Sequence, residues 1–371
     1  MERPKFYMPQ IEKDQIGAES RLSDKDKELR MEKREHEDDI SKYILRWWKG
    51  DAHTHSKEST REGYSYPEGI YDIQEIMDYY KSIDLEFVCF TEHSSKPGSP
   101  QRQSVDSDIS QSLVRESERI AMINRERGGD IAALSGVETN IMLNEKGESM
   151  LDIPDEILEK LDLVVASRHA IGREKEPSAI KETLLMAIRN KNVDVIGHPD
   201  RYTRKDNEKS QEYWQEYWSI WPEILQEMQK EGKAFEINLN NQPSKKLIDM
   251  LAKTDVKLFI NYDAHDFNQF KKETNEITKA GENAKSKWAK EEVSEDDIEV
   301  LKNYKMERLS SGPGVNAILK LVRWIKKLES LGVEPERVVN SSLNNLLSFL
   351  AEDRNKDTKN LAFLKSKILA E

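Results

Sequence analysis

Six of the seven histidines in this chain fall at the ends of short apolar runs, most of them beside a carboxylate or another histidine. They occupy Asp51-Ala52-His53-Thr54-His55, Thr91-Glu92-His93, Ser167-Arg168-His169, Gly197-His198-Pro199-Asp200-Arg201 and Asp263-Ala264-His265. A further run, Gly136-Val137-Glu138, ends in a carboxylate instead. Histidines scattered at random would not keep following stretches such as Phe87-Val88-Cys89-Phe90 or Asp194-Val195-Ile196. In a barrel of alternating strands and helices, the strand C-termini share one face and their side chains converge there. Imidazole and carboxylate are donors that Zn²⁺, Mn²⁺ and Fe²⁺ accept, so convergence of this set implies a multi-metal centre.

The rest of the pattern supports a barrel. Strand-like runs recur at Phe87–Thr91, Ile131–Gly136, Leu163–Ser167, Val193–Gly197, Ala234–Asn238 and Lys257–Asn261. Helix-period segments lie between them at Ile70–Ile83, Ser110–Arg127, Ala179–Asn190, Gln211–Lys230 and Ser244–Thr254, with a closing helix near Val315–Leu328. Strands alternating with helices of this length predict parallel βα units. With the strand entering His53, the reading is an α/β fold, a (β/α)7 barrel with one strand fewer than the common eight. The Trp47-Trp48 pair belongs to that first strand or its approach. Trp214, Tyr217, Trp218 and Trp221 share one helical face, a spacing that suits core packing better than a base-stacking platform.

At 371 residues the chain is long enough to bury a substantial core. Only 36% of residues are hydrophobic and 35% are charged, so much of the sequence must be solvated helix surface or extension. Residues 1–43 read as a charged helical extension, and His36 lies within it, away from any strand. The barrel domain spans residues 44–352, interrupted by a charged helical insertion at 267–311 that suits a lid or a partner-docking element. Residues 353–371 read as a C-terminal helical tail. The net charge of −12 argues against a broad nucleic-acid-coating surface. Cys89 sits in an apolar run and is expected as a buried thiol. No apolar signal region or membrane-length run is present, so a cytoplasmic protein without membrane contact is expected.

The ordered set of motifs resembles the polymerase-and-histidinol-phosphatase superfamily. Its pattern is His-x-His, an acidic-Gly pair, Asp/Glu-His, a lone Glu, Ser-x-His, Gly-His-Pro and Asp-x-His. The resemblance runs from about Trp47 to Asp266 and resumes near Gly312, through Gly332-Val333-Glu334 and Asn340. It implies a distorted TIM-like barrel with a trinuclear centre that hydrolyses phosphate esters. By this resemblance His53, His55 and Asp263 hold a first ion, and Glu62, His93 and His265 a second. His169 and His198 hold a third with Glu138, which bridges ions. The family usually shows Asp or His where this chain has Glu62-Gly63, and Glu58 or Glu68 could take that place.

Three divalent ions, Zn, Mn or Fe, are the implied cofactors. Such a cation lowers the pKa of bound water from about 15.7 to near 7, which makes a metal-bound hydroxide available at neutral pH. Arg201 and Arg168 are candidates to grip a phosphate bidentately, with rim salt bridges as the competing role. Asp200, Glu92 and Asp266 flank ligands; each could orient an imidazole or serve as the leaving-group acid. The expected substrate is a phosphoester, either a small phosphomonoester or a nucleic-acid end, and a protein partner could dock on the charged extensions. Two other readings stand beside this one: a carbamate or amide metallohydrolase, and a non-catalytic metal-bearing assembly protein.

Overall fold

The computed structural model describes residues 42–59, 69–94, 107–144, 146–169, 176–201, 209–265 and 315–369. The N-terminal extension up to residue 41, Glu62, Glu68, Asp266 and the 267–311 insertion lie outside the described residues. In chain order the elements are β1 (Gly50–Thr54), α1 (Ile73–Ser82), β2 (Phe87–His93), α2 (Ser107–Arg127), β3 (Ala132–Leu143), β4 (Ser149–Leu151), α3 (Asp155–Leu158), β5 (Leu163–Ser167), α4 (Pro177–Arg189), β6 (Val195–Gly197), α5 (Gln211–Lys230), β7 (Ala234–Asn238), α6 (Lys245–Leu251), β8 (Lys257–Asn261), α7 (Val315–Ser330), α8 (Leu343–Ser348) and α9 (Lys359–Ile368).

Seven strands pair in parallel in the order β1-β2-β3-β5-β6-β7-β8. The chain therefore builds the expected TIM-like α/β barrel. One short strand was not foreseen: β4 pairs antiparallel with the end of β3. The barrel is nearly closed between β1 and β8. At one end, the His55 N–H donates to the Ala264 carbonyl at 2.9 Å. Further down, the Asn340 amide donates to the carbonyls of Gly50 (2.8 Å) and Ile260 (2.6 Å) and accepts from the Ile260 N–H (3.0 Å). One side chain thus stitches two strands that lack a continuous ladder of their own.

The strands are buried on both faces, and alternation decides which side each residue serves. Phe87, Cys89, Ala132, Leu134, Leu163, Val165, Val195, Ala234 and Phe259 fill the barrel interior, together with Leu346, Phe349, Leu350, Leu361 and Leu364 from the C-terminal segment. Residues 343–364 therefore plug the N-terminal mouth of the barrel, and the part read as a tail contributes Leu361 and Leu364 to it. Val88, Phe90, Ala133, Val137, Val164 and Ile196 face the surrounding helices.

The helix ends follow ordinary capping chemistry. Asp72 and Glu75 form a capping box on α1, and Ser210, Ser244, Ser342 and Thr358 cap α5, α6, α8 and α9. On α5 the buried stripe is Tyr213, Tyr217, Ile220, Trp221 and Ile224, with Trp214 and Trp218 half-buried at its flank. The aromatic run is core packing, rotated slightly from the face expected. Cys89 is buried, as expected, and burial raises its thiol pKa well above the ordinary value.

Candidate metal centre

Continuing the interior alternation toward the strand C-termini delivers most of the site. Phe87 and Cys89 are followed by Thr91 and His93, and Ala132 and Leu134 by Gly136 and Glu138. Leu163 and Val165 lead to Ser167 and His169, and Phe259 leads to Asn261 and Asp263. Parallel register sets His93 beside Glu138. Two strands need a local device. In β1, the pairing with β2 shifts between Asp51 and Thr54, a bulge-like irregularity just where His53 begins. After β6, His198 takes a φ of +25°, which turns a residue that alternation would send outward. Asp263, at φ +57°, is a second non-glycine residue in that sparsely populated region. Strain of this kind persists only where surrounding contacts hold it.

Glu138 is the centre of the arrangement. Its Oε2 lies 2.8 Å from His93 Nδ1, 3.5 Å from His53 Nε2 and 3.8 Å from His55 Nε2. Its Oε1 lies 2.9 Å from His198 Nε2 and 3.6 Å from His169 Nε2. Asp263 Oδ1 lies 3.2 Å from His55 Nε2, 3.6 Å from His53 Nε2 and 3.5 Å from His265 Nδ1. The chain thus brings eight of the nine expected ligands together, all but one of them nearly inaccessible to solvent. The ninth, Glu62, lies outside the described residues. Its alternative Glu58 is engaged elsewhere, accepting from Arg119 Nη1 at 3.1 Å.

Three sets of donor atoms are each clustered within 4.8 Å: His53-His55-Asp263, His55-His93-His265 and His53-Glu138-His198. The first is the trio expected for the first ion. The other two contain the expected pairs, with His55 and His53 drawn in as well. The separations are those of atoms that could share a cation, and several are also within hydrogen-bond distance. His265 Nδ1 faces the Asp263 carbonyl at 2.9 Å, so its Nε2 carries the lone pair, yet His93 Nε2 lies only 3.1 Å from it. Ligand atoms at about 2.0–2.1 Å from one ion stand roughly 3.0–3.4 Å apart at tetrahedral or octahedral angles. His53 Nε2 and Glu138 Oε2 are buried without an aligned hydrogen bond among the described residues, at a desolvation cost that a cation would offset.

The outward-facing nitrogens are held individually. His55 Nδ1 meets Ser59 Oγ at 3.2 Å. Ser59 Oγ donates to Glu92 and accepts from the His93 N–H, so it can only accept from His55. Glu92 thus reaches His55 through a serine, a geometry that fits its reading as an orienting residue. His169 Nδ1 meets Asn140 Oδ1 at 2.7 Å, and Asn140 in turn donates to Asp152 at 2.7 Å. Sequence reasoning missed Asn140, Ser59 and, above all, Glu236, whose Oε1 lies 2.6 Å from His53 Nδ1. Alternation would have marked Glu236 as facing inward, an acidic residue two places after Ala234 and flanked by Phe235 and Ile237.

The protonation pattern matches what metal ligands require. Burial lowers the pKa of His55, reinforced by His93 and His265, so it rests neutral. Burial also lowers His169 and His265. For Glu138 burial favours the neutral acid, but His53, His169 and His93 outweigh it and hold the carboxyl well below its usual range. Asp263 behaves likewise through His53 and His265. His53 is the exception: burial opposes its charge, but Glu236, Asp263 and Glu138 raise its pKa well above the ordinary value.

The proposed phosphate-handling residues lie on the same face. Arg201 is half-buried, and its backbone N–H donates to the His198 carbonyl at 3.0 Å. After burial and His198, its charge helps keep His169 neutral. Arg168 is buried directly before His169. Asp200 Oδ2 accepts from the Ser244 N–H at 2.8 Å, which ties the loop after β6 to the start of α6.

Comparison with known proteins identifies the family. A PHP domain model matches residues 51–240, just over half of the chain. A probable phosphatase of Thermoanaerobacter sp. (strain X514) is 30% identical over 250 residues, covering 62% of this chain and 86% of that protein. The DNA polymerase/3'-5' exonuclease PolX of Bacillus subtilis (strain 168) is 28% identical over 165 residues, 44% of this chain and 25% of PolX. Among solved structures, histidinol phosphate phosphatase from Lactococcus lactis, complexed with zinc, L-histidinol and phosphate, superimposes with a TM-score of 0.41 at 22% identity, over 63% of this chain and 94% of that one. With the family model spanning the strands that carry six of the eight converging residues, this chain belongs to the PHP domain family.

Proposed function

We propose that this chain hydrolyses phosphate monoesters at a centre of three divalent ions, held by His53, His55, Glu62, His93, Glu138, His169, His198, Asp263 and His265. At the coarser level it is a metal-dependent phosphoesterase, by family and by its donor set. The observation that supports the three-ion reading best is Glu138, whose two oxygens face different groups of imidazoles. A carboxylate so placed suits a bridge between ions. Bound ions would acidify water to supply the nucleophile and would offset charge on the phosphate.

The chain's own residues supply the rest. Glu92, Asn140 and Glu236 fix imidazole orientation, and burial around the cluster excludes bulk water. Arg201 is the candidate to grip non-bridging phosphate oxygens, with Arg168 as a second cation. Asp200 is the candidate proton donor to the leaving group. A monoester is favoured over a nucleic-acid end because a net charge of −12 offers little general attraction for a polyanion. Zn, Mn and Fe all suit this mixture of imidazole and carboxylate. The test is turnover by purified protein with added Mn²⁺ against an aryl phosphate, histidinol phosphate and end-labelled single-stranded DNA. Monoester hydrolysis is expected; metal-loaded protein inert toward all three would overturn the reading.

A further inference from the structure

Glu236 is fully buried on β7 and is not one of the expected ligands. Its Oε1 faces His53 Nδ1 at 2.6 Å and accepts from Asn261 Nδ2 at 3.0 Å. Its Oε2 accepts from the His198 backbone N–H at 2.8 Å and from Asn238 Nδ2 at 3.3 Å. A carboxylate offers about four acceptor sites and no proton. Four donors, from β1, β7, β8 and the turn after β6, take them all. Asn261 cannot reverse its amide without loss, because its Oδ1 accepts from the Ala52 N–H at 3.0 Å. The backbone N–H of His198 cannot reverse at all.

We propose that Glu236 is a positioning residue that fixes the proton of His53 on Nδ1, aims Nε2 at Glu138 and Asp263, and ties this choice to the strained His198 turn. The proposal rests on the metal-centre reading above for its consequence, though not for its geometry. One buried carboxylate then sets ligands on both sides of Glu138 together. This explains why His198 holds a φ of +25°: its N–H is committed to the oxygen opposite the one that faces His53.

Glu236→Gln is the informative change because it keeps the shape and removes one acceptor. The amide orientation that keeps the fixed His198 N–H bonded turns the NH₂ toward His53 and Asn261; it gives up the Asn261 contact and drives His53 Nδ1 to become an acceptor. The proton then moves to Nε2, the atom that should bind metal. Two readouts follow. In metal-free protein with ¹⁵N-labelled histidine, at a pH high enough for the His53 ring to be neutral, long-range NMR should show its one proton on Nδ1 in wild type and on Nε2 in Glu236→Gln. Zinc affinity against a competing chelator should fall roughly 10–100-fold, as is usual for a partner of a ligand histidine. Glu236→Asp retains both acceptors, so it should keep Nδ1 protonated and recover part of the affinity. A protonated Nδ1 in Glu236→Gln, or wild-type zinc affinity there, would overturn the proposal. Should Glu236→Gln not fold, loss of the Nδ1 proton in Glu236→Asp would overturn it equally. Wild-type protein that binds no zinc would remove the phosphoesterase reading instead, while the NMR result still decides the role of Glu236.

Discussion

The two mouths of the barrel both bury charge, and they resolve it in opposite ways. At the N-terminal mouth, Asp194 is fully buried with Arg354 Nε at 3.2 Å from one oxygen and Lys356 Nζ at 3.2 Å from the other. Arg354 also donates to the carbonyls of Glu231 and Val193, each at 2.8 Å, and Lys233 donates to those of Asn190 (2.8 Å) and Val193 (2.7 Å). Each charge there is answered by the chain itself. At the C-terminal mouth, imidazole nitrogens face one another and two shared carboxylates, and buried donor atoms such as His53 Nε2 have no aligned partner among the described residues. That end is built to be completed from outside. Burial alone does not mark a functional site; a converging set of metal-donor atoms left incomplete does.

The comparison breaks first at His53 and His55. Replacing both with alanine should reduce phosphatase activity to background, and the rise in Tm that added Zn²⁺ gives wild type should vanish. A full metal-induced Tm shift in the double variant would remove these residues from the centre. The opposite mouth should respond in stability alone. Asp194→Ala leaves two buried cations uncompensated and should cost roughly 3–5 kcal/mol in denaturant unfolding. Metal content and turnover per folded molecule should be unchanged; loss of metal without loss of stability would show that the two mouths are not separable.

Much of this division was legible in the sequence. Strands ending in His or Glu announced both the barrel and the face that carries the site, because alternation and parallel closure leave those side chains one direction to point. Three features were hidden for physical reasons. The shift in β1 pairing and the positive φ at His198 are set by tertiary contacts, so spacing alone did not show how His53 and His198 turn inward. Alternation marks Glu236 as facing inward, but no local motif encodes its partner 183 residues away, nor the pairing of Asn140 with His169, while Ser59 acts from the turn after β1. The C-terminal segment reads as a tail because the polar stretch Asp353–Lys359 joins it to the barrel, yet Leu361 and Leu364 beyond that stretch are buried against the barrel interior.

Arg201 sharpens the contrast within the catalytic mouth. Arg201→Ala should lower kcat/KM by an amount equivalent to roughly 1.5–3 kcal/mol, about ten- to more than a hundredfold, with metal content intact. Arg201→Lys should recover only part of this, since lysine lacks the planar fork. Wild-type efficiency in Arg201→Ala would retire the phosphate grip.

A smaller effect belongs to the N-terminal mouth. Burial, reinforced by Arg354, lowers the pKa of Lys233 from 10.5 to about 7. Between those values the unfolded chain holds a proton that the folded chain lacks, so the Lys233 contribution to stability improves as pH rises through that window. The stability of wild type relative to Lys233→Met should therefore increase from about pH 7 to about pH 10. A flat difference would mean that Lys233 stays charged when folded.

The central claim is that the C-terminal mouth is a metal centre organised around one bridging carboxylate, and metal stoichiometry tests it most directly. Elemental analysis after loading with Zn²⁺ and gel filtration should give three ions per chain for wild type. Glu138→Gln should lose more of them than His169→Ala, because Glu138 faces both groups of imidazoles. Wild-type protein with less than one ion per chain, or Glu138→Gln with full occupancy while His169→Ala is depleted, would contradict the account.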